Sequence, residues 1–562
     1  MKKLVPKVRS AADTGLIPVI STAAPRNRHG YVSLMSHMTL RMRCTSGFGV
    51  VGCLSLLPWM LLGAGHRLHA QSPIEQTRLG ADTGLRLVQS FEGLGHRFVG
   101  PHGRATLRNP SDNSLAVGKR HSVQTVNSQL AVFDRSGKPV YGPLPTNAIF
   151  RGFGGACDEV LSGDAVIRYD QLADRWLLVL PIFRRVLPRT TPEGPRRAAL
   201  PIPAATWDTV PRPAPPRPGA EPKDGVYAMC YAVSATDDPL GSWYRYEFAR
   251  PLFPDYPRPA VWPDGYYVPT STGDDVIEKH VCVAERARML RGEPAREICR
   301  IVADVNFLNT SDLDGRALPP KGMPNLVLAA GGTQLKGDLQ SDALFLWRFL
   351  VDWRDTSRTR LDGPERIAVT PYRYLCGGQL TSCVPQPGTD RKLDAQGDKL
   401  MARTVYRQFG KTGRLVAAHS VEAASGGGVR WYQLDVDRQA RVSIAQQGTY
   451  APDSVIRWMP SPALDRFGNL GVGYSVGAPS MFPGQRFAGR TPKAATGQLS
   501  LREVTLVEGT GAQTSTLRWQ DYTQTAVDPL DDCTIWYVGD YVKAGDPSYS
   551  TRIGAFRMPG CR

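Results

Sequence analysis

Short apolar runs alternate along this chain with turns rich in Asp, Gly and Pro. The runs are dominated by β-branched and aromatic residues, as in WLLVL at 176–180 and IWYV at 535–538. Runs of this kind bounded by turn residues predict strands. No long segment shows the 3.6-residue period of an amphipathic helix. The pattern therefore predicts an all-β fold.

A recurring unit can be aligned within these strands. It consists of a carboxylate, a short strand, an Asp/Gly turn and an aromatic-rich strand. Clear copies begin at Asp164, Asp255, Asp398, Asp453 and Asp521, and weaker ones at Asp112 and Asn325. A period of this size, with about four strands, is typical of a β-propeller, in which radial repetition protects the sheet edges.

The two ends of the chain complement each other in this scheme. The last unit supplies only about three strands, and the run 85–91 (LRLVQSF) precedes the first full unit without a partner of its own. We expect this run to complete the final sheet, so that pairing of N- and C-terminal strands closes a seven-bladed propeller. Six blades are the alternative, because the unit at Asn325 matches weakly, and two stacked β-domains are a more distant one.

Residues 38–70 have the layout of a secretory signal peptide. A short basic region with Arg41 and Arg43 precedes an apolar stretch, 47–65, and the segment ends in Leu68-His69-Ala70. This order predicts cleavage after Ala70. Glycines and a proline interrupt the apolar stretch, which makes it a poor spanning helix of ~20 residues. Lipid attachment at Cys53 is the alternative.

The predicted signal peptide, 38–70, divides the chain into the following expected segments. Residues 1–37 are interpreted as a mis-called upstream extension, 71–111 as an N-terminal segment with the closing strand, and 112–562 as the propeller. We expect a secreted or periplasmic protein with no membrane span in the mature chain.

The basic charge of the chain is concentrated in two segments. The chain has 68 Lys+Arg against 51 Asp+Glu, but nine basic residues and one acid lie in 1–70. A Pro/Arg-rich segment, 183–222, carries seven Arg and three acids and is interpreted as an insertion loop. The remaining surface lacks the clustered Lys and Arg that phosphate binding requires. A nucleic-acid partner is therefore not expected.

Eight cysteines follow the leader, and their even number in an oxidising compartment favours disulfides. They are Cys157, Cys230, Cys282, Cys299, Cys376, Cys383, Cys533 and Cys561. The absence of a CxxC pair argues against structural zinc. Proximity along the chain predicts pairing in sequential order, which is one of the 105 pairings that eight cysteines allow.

Several phrases of the sequence resemble a group of secreted bacterial β-propeller-like proteins over roughly residues 112–561. These phrases are FRGFGGACDEVLSGDAVIRYDQLADRWLL, VQTVNSQLAVFDRSGKPVYGP, QQGTYAPDSVIRWM, GTGAQTSTLRWQDY and VDPLDDCTIWYVGDY. The resemblance implies the fold and export, but it carries no catalytic assignment. The opening NPSDNSLAVGKRH and the 183–222 segment depart from the group.

The repeat predicts a binding site on the propeller axis, because the innermost strands line the central channel. Carboxylates and guanidinium groups there can hold sugar hydroxyls or acidic sugars, and aromatic faces can stack on a pyranose ring. The expected ligand-binding residues are Arg168, Asp255, Tyr256, Arg258, Asp398, Arg403, Asp453, Arg457, Trp458, Asp521 and Tyr522. The alternative is structural, because Asp is a favoured turn residue and Arg can neutralise it.

Glycoside hydrolysis requires two carboxyl groups, one with a raised pKa. Asp158, Glu159 and Asp164 are the candidate catalytic residues, since they lie beside a predicted disulfide near the start of a unit. The sequence predicts binding of an extracellular polysaccharide or glycoconjugate by a monomer. It leaves two functions open, a hydrolase or lyase and a non-catalytic recognition or scaffold protein at the cell surface.

Other chemistry receives little support from the sequence. HExxH and P-loop motifs are absent, and the absence of a P-loop argues against nucleotide cofactors. Asp312/Asp314 and Asp531/Asp532 form acidic clusters without EF-hand spacing, and are interpreted as solvated turns. No cofactor is expected, with structural calcium at these clusters as the alternative.

Overall fold

The computed structural model describes residues 74–186, 199–201, 226–250, 253–271, 278–303, 305, 307–333, 340–378, 382–424 and 426–561. The predicted upstream extension, signal peptide and Cys53 lie outside the described residues, as does most of the 183–222 segment. In the described part of the chain, helix is confined to short turns, and the fold is all-β as predicted.

Seven sets of four antiparallel strands follow one another along the chain, and we number them in that order. Set 1 contains Ser114–Val117, His121–Val126, Gln129–Asp134 and Pro139–Pro145. Set 2 contains Val166–Asp170, Arg175–Val186, Val226–Ser234 and Ser242–Arg250. Set 3 contains Ala260–Trp262, Gly265–Thr270, Glu278–Ala284 and Glu297–Ala303. Set 4 contains Asn309–Leu313, Asn325–Gly331, Ala343–Leu350 and Arg360–Ala368.

The last three sets have the same internal order. Set 5 contains Thr404–Phe409, Thr412–Ala423, Gly426–Val436 and Val442–Tyr450. Set 6 contains Ile456–Leu464, Leu470–Ala478, Met481–Arg490 and Leu501–Val507. Set 7 contains Gln524–Val527, Thr534–Tyr541, Ser550–Arg557 and, from the other end of the chain, Arg86–Glu92. The predicted pairing of the 85–91 run with the C-terminal strands is therefore present.

The remaining described elements are short. The additional strands are Glu75–Gln76, Val99–Gly100, Gly103–Arg104, Ala199–Pro201, Ser382–Gln386 and Thr389–Asp394. The helical turns are Thr146–Phe150, Ala156–Glu159, Arg286–Met289, Thr356–Arg358 and Leu375–Gly377. A short parallel contact, Ser311–Leu313 with Thr404–Tyr406, joins sets 4 and 5 into one larger sheet. None of the helices in the described ranges has the length and apolar character needed to cross a bilayer.

Burial falls from the first strand of a set to the last. All five residues of Asn309–Leu313 are buried, whereas Arg360–Ala368 in the same set is mostly exposed. Consecutive sets share hydrophobic clusters, and set 7 shares one with set 1 through Trp536 and Phe133. The first strands therefore lie in the interior, and the last strands lie at the periphery.

One predicted unit start is wrong by a strand. The unit assigned to begin at Asn325 begins with Asn309–Leu313, and Asn325 starts the second strand of set 4. The first strand has the sequence NTSDL, whose polar side chains are buried, and those of Asn309, Ser311 and Asp312 are hydrogen bonded. An apolar pattern could not reveal it, because these residues satisfy their polar groups inside the protein.

The four sequential disulfides predicted from proximity are present, joining Cys157–Cys230, Cys282–Cys299, Cys376–Cys383 and Cys533–Cys561. Each pair closes a segment within the sheets or their connecting turns. Four disulfides fit a protein of an extracellular or periplasmic compartment.

Removing the Cys533–Cys561 disulfide should destabilise the protein more than removing Cys376–Cys383. The two bonds close segments of 28 and 7 residues, for which loop-closure entropy gives about 3.5 and about 2.5 kcal/mol. Urea denaturation of the Cys533→Ala/Cys561→Ala and Cys376→Ala/Cys383→Ala variants measures both. A larger loss for the shorter loop would contradict this expectation.

Candidate functional site

A polar cavity of about 190 Å³ lies where segments preceding several first strands converge. It is lined by Pro110, Asp112, Asn127, Asp164, Asp255, Tyr256, Phe307, Gln396, Lys399, Arg518 and Asp521. Asp112, Asp164 and Asp521 lie two or three residues before the first strands of sets 1, 2 and 7. The repeat therefore brings several carboxylates to one place, as the sequence predicted.

The backbone around this cavity is unusual. Asp112, Asp164, Tyr256, Gln396 and Asp521 all have positive φ, between 46° and 60°. Asp tolerates this region because its side chain bonds nearby backbone, but Tyr and Gln rarely adopt it. Residues held in such conformations cluster at functional sites. Their concentration here marks the cavity as a candidate site.

Asp112 and Asp164 are neighbouring buried carboxyl groups, and each affects the pKa of the other. Burial and the neighbouring Asp255 and Asp521 carboxylates raise the pKa of Asp164 to about 7. Burial and Asp164 raise the pKa of Asp112 well above its usual range. The Asn127 amide donates to Asp112 Oδ2 at 2.6 Å, and Tyr522 Oη donates to Asp164 Oδ2 at 2.9 Å. Both carboxyls are thus oriented by hydrogen bonds, and burial raises the pKa of each.

Asp521 is fixed in a different way. Its Oδ1 accepts from Gln396 Nε2 at 2.9 Å, and its Oδ2 accepts from the Arg518 guanidinium. Arg518 also donates through Nε to Asp394 at 2.9 Å. A guanidinium and an amide therefore hold both oxygens of the Asp521 side chain. The cavity thus contains the neighbouring Asp112 and Asp164 carboxyls and a third carboxyl with its own donors.

Aromatic rings and cations form the other side of the cavity. Tyr256 stacks on Tyr522 with ring centroids 4.3 Å apart, and the Phe307 ring meets Tyr256 edge-on at 5.5 Å. Lys399 Nζ lies 4.0 Å from the Phe307 ring centre and forms an ion pair with Asp398 at 3.0 Å. Arg258 packs against the Tyr256 and Phe307 rings.

Seven of the residues predicted from the sequence are thus in or beside the cavity. Asp164, Asp255, Tyr256 and Asp521 line it, while Tyr522, Arg258 and Asp398 lie directly behind the lining. Tyr522 is 2% exposed. Its face packs on Tyr256, so it positions Asp164 rather than offering a surface for a sugar ring.

Arg168 and Arg403 belong to a separate buried ion-pair network with the first strand of set 4. Arg403 Nε donates to Asp312 at 2.7 Å, and its Nη2 donates to Asp314. Arg168 Nε lies 3.4 Å from the same Asp312 carboxylate. The acidic cluster that might have held calcium is therefore paired with arginine, and it lies in the interior rather than in a solvated turn.

Asp453, Arg457 and Trp458 are together at the start of set 6, but none of them lines the cavity. Arg457 is fully buried and makes paired contacts with Asp453 and Glu503. Trp458 packs against Trp519 in a hydrophobic cluster. These contacts stabilise the set and leave no group directed at a ligand in the cavity.

Asp158 and Glu159 lie in the helical turn Ala156–Glu159, away from the cavity lining. Asp158 Oδ2 accepts from the Gly154 amide at 3.0 Å. The neighbouring Cys157 is bonded to Cys230, which anchors the turn to set 2. The structure thus separates these two acids from Asp164, the third predicted catalytic residue.

The second acidic cluster is also engaged within the protein. Asp531 accepts from the Cys533 and Thr534 amides, and Asp532 pairs with Arg407. In the described ranges, two groups of three potential metal-ligand atoms come within 4.8 Å of one another, and both contain disulfide-bonded cysteines. The carboxylates of the cavity are not arranged as a preformed metal site.

Sequence reasoning missed several members of the cavity, among them Asp112, Asn127, Phe307, Gln396, Lys399 and Arg518. Asp112 was identified as the start of a weak unit, but not as a site residue. Gln396 and Arg518 each lie within three residues of a predicted acid. A search of the residues just before each unit start would have found them.

The stability of the protein should fall as the pH rises from 7 to 9. Burial raises the pKa of Asp540 to about 8, with the nearby Asp521 carboxylate adding to the effect. The folded state therefore retains a proton that the unfolded chain has lost, and the stabilisation disappears as this group ionises. The expected loss is about 1 kcal/mol for such a group over this range.

Urea denaturation at pH 7 and pH 9 measures this change. Asp540→Asn should flatten the dependence of stability on pH, because asparagine does not ionise. The fold should persist, since the side-chain oxygen can still accept from Ser111 and Asn113. The buried His280 and His419, whose pKa values burial lowers, contribute an opposite slope only below about pH 7. A stability that rises with pH between 7 and 9 would contradict the expectation.

No protein-family model and no curated protein matches the chain. Among solved structures, a protein of unknown function from Dyadobacter fermentans is similar over 84% of this chain and 99% of its own, with 12% identity and a TM-score of 0.37. An ulvan lyase of polysaccharide lyase family PL25 covers 84% of this chain and 96% of its own, at 9% identity and a TM-score of 0.32. A Penicillium chrysogenum α-L-arabinanase covers 55% and 94%, at 11% identity and a TM-score of 0.30. These similarities are weak, and the cavity is interpreted from its own geometry.

Proposed function

We propose that this protein is an exported, seven-bladed β-propeller whose axial cavity binds a saccharide and cleaves a glycosidic bond. The order of strands in the seven sets, the pairing of Arg86–Glu92 with Ser550–Arg557 and the cluster between sets 7 and 1 support a closed ring. The four disulfides support export.

The single observation that carries the catalytic proposal is the cluster of Asp112, Asp164, Asp255 and Asp521 in one cavity, where burial and the neighbouring carboxylates raise the pKa of Asp164 to about 7. A carboxylic acid with a pKa near 7 is suited to protonate a leaving oxygen at neutral pH. We take Asp112 and Asp164 to share one proton and to act as one acid, because each carboxyl affects the pKa of the other. A further carboxylate must then serve as the counterpart in hydrolysis.

We assign Asp164 as the general acid and Asp255 as the base. Both Asp255 and Asp521 line the cavity, and Asp255 is the neighbouring carboxylate that raises the pKa of Asp164 most. Asp521 accepts from the Arg518 guanidinium and the Gln396 amide, and Asp255 accepts from the Tyr256 backbone amide at 2.9 Å. In the proposed reaction the glycosidic C–O bond breaks as Asp164 gives its proton to the leaving oxygen. Water adds its oxygen to the anomeric carbon, and its released proton passes to Asp255.

The size of the cavity limits what it can hold. At about 190 Å³ it is smaller than the 300–1,000 Å³ typical of sites for drug-sized ligands. The proposed occupant is therefore one sugar residue, held by carboxylate and amide groups with Tyr256 and Phe307 as an apolar wall.

Incubation of the purified protein with a panel of neutral and acidic polysaccharides between pH 5.5 and 7.5 tests this function. New reducing ends without ultraviolet absorbance of an unsaturated sugar are the expected result. Unsaturated products would replace the hydrolase assignment by a lyase. Calorimetric binding without any turnover would support the recognition function instead, and the absence of both would reject a saccharide site.

A further inference from the structure

Three aromatic rings are in contact at one end of set 2, and we call Phe183, Tyr227 and Phe253 the aromatic cluster. Phe183 lies near the end of the second strand of the set, Tyr227 near the start of the third, and Phe253 follows the fourth. The centroid of the Phe253 ring lies 5.1 Å from that of Phe183 and 5.5 Å from that of Tyr227. Because the strands are antiparallel, this end of the set is also the end at which its first strand begins.

The aromatic cluster is connected to the two chain segments that carry the proposed acid and base. The Phe183 amide donates to Ser162 Oγ at 3.3 Å, and Asp164 lies two residues further along the chain. Phe253 precedes Asp255 by two residues, with a proline between them. A residue before proline favours extended backbone, in which side chains two residues apart lie on the same side. This order favours a Phe253 ring on the side of the Asp255 carboxylate.

The cavity is accessible next to the aromatic cluster. Asp255 is half-buried, whereas Asp112 and Asp521 in the cavity lining are buried. The rings of Tyr256 and Phe307 in that lining are buried as well. All three members of the aromatic cluster are half-buried, and none of them lines the cavity. The cluster therefore offers apolar surface beside the cavity rather than within it.

Apolar surface beside a polar cavity suits one kind of ligand especially well. Contiguous apolar surface with polar surroundings is typical of ligand-binding grooves. A pyranose ring has hydroxyl groups around its edge and C–H bonds on its faces, and aromatic rings provide large apolar faces for such contacts. The cavity of about 190 Å³ holds one sugar residue, so the next residue of a polysaccharide must lie outside it.

We infer that the aromatic cluster is a second sugar-binding subsite, which packs against the residue adjacent to the one in the cavity. This inference rests on the proposed saccharide site and adds its substrate class, a chain of at least two sugar residues rather than a monosaccharide derivative. The glycosidic bond that joins the two sugars then lies beside Asp164 and Asp255, the proposed acid and base.

Calorimetry with the monomers to tetramers of cello-, xylo- and galacturono-oligosaccharides tests the inference. In at least one series the dimer should bind about fivefold or more tightly than the monomer, an effect of the size that aromatic packing contributes. Phe253→Ala should abolish this gain and leave the affinity for the monomer unchanged. Phe253→Trp should retain the gain, because an aromatic face remains.

Two further variants keep the result interpretable. Phe253→Leu preserves apolar volume without an aromatic face, so it should lose most of the gain and unfold at the same temperature as wild type. Phe467→Ala removes a ring that is 45% exposed in the turn after the first strand of set 6, whereas the cavity carboxylates precede first strands. It should bind every ligand as wild type does.

The outcomes separate this inference from the proposed function. Equal affinities of wild type for monomers and longer chains would overturn the subsite and leave the saccharide site intact. A Phe253→Ala variant that binds monomer and dimer equally less tightly than wild type would also overturn it, because the ring would then support only the cavity. Binding of no member of any series by wild type would overturn both proposals.

Discussion

Asp164→Asn is expected to reduce turnover of a cleaved polysaccharide by about 10²- to 10⁴-fold, the range that general acid–base groups contribute. Asparagine cannot give a proton to the leaving oxygen. It can still accept from Tyr522 and donate to Asp112, and it tolerates the positive φ of 58° at this position. The fold should therefore persist, so that the loss appears in kcat rather than in stability.

Initial rates and calorimetric binding, measured on the same preparation, separate these effects. Asp362→Asn makes the same chemical change at an exposed position and should retain wild-type kcat. Tyr522→Phe removes a hydrogen bond that lowers the pKa of Asp164. The decline of the rate at alkaline pH should therefore occur at a higher pH than in wild type. Full activity of Asp164→Asn would exclude it as the acid.

Arg403→Met should destabilise the protein by about 3–5 kcal/mol, because it leaves the buried Asp314 without its ion-pair partner and Asp312 with Arg168 alone. Arg403 is 5% exposed and holds both Asp312 and Asp314. Those acids in turn accept from the amides of Val261 and Leu464. The network therefore links set 4 to sets 3 and 6, and its loss should weaken the packing between these sets.

Urea denaturation measures this loss, with Arg360→Met as the surface control, for which less than about 1 kcal/mol is expected. Neutralising Asp314 as well, in Arg403→Met/Asp314→Asn, should recover part of the stability because Asp314 is then uncharged and Asp312 keeps its ion pair with Arg168. Equal stabilities of Arg403→Met and Arg360→Met would contradict the structural role of the network.

The sequence predicted the strands and the order of disulfides because both depend on local patterns. Apolar runs, turn residues and short cysteine spacings are visible along the chain. The first strand of set 4 was missed because its residues are polar, and their burial depends on partners such as Asn325 and Arg403 that are distant in sequence. Pairing of Arg86–Glu92 with the last strands was predictable only because the repeat left one strand missing.

The repeat also made part of the candidate site predictable. The repeat placed Asp164, Asp255 and Asp521 at equivalent positions, and they meet in one cavity. The pattern could not distinguish Arg258, which lacks a hydrogen-bonding partner, from Arg457, which two carboxylates satisfy. That difference depends on contacts between segments, which spacing does not report.

Carbon-13 NMR titration of aspartate side-chain carboxyls, on wild type and Asp164→Asn, tests most directly whether Asp112 and Asp164 share a proton. We predict a carboxyl signal that titrates near pH 7 in wild type and is absent from the Asp164→Asn spectrum. The Asp112 signal should titrate at lower pH in that variant, because the neighbouring carboxyl is gone. If the signal that Asp164→Asn removes titrates below about pH 5 in wild type, as an unperturbed carboxyl does, the shared proton and the catalytic role built on it are wrong.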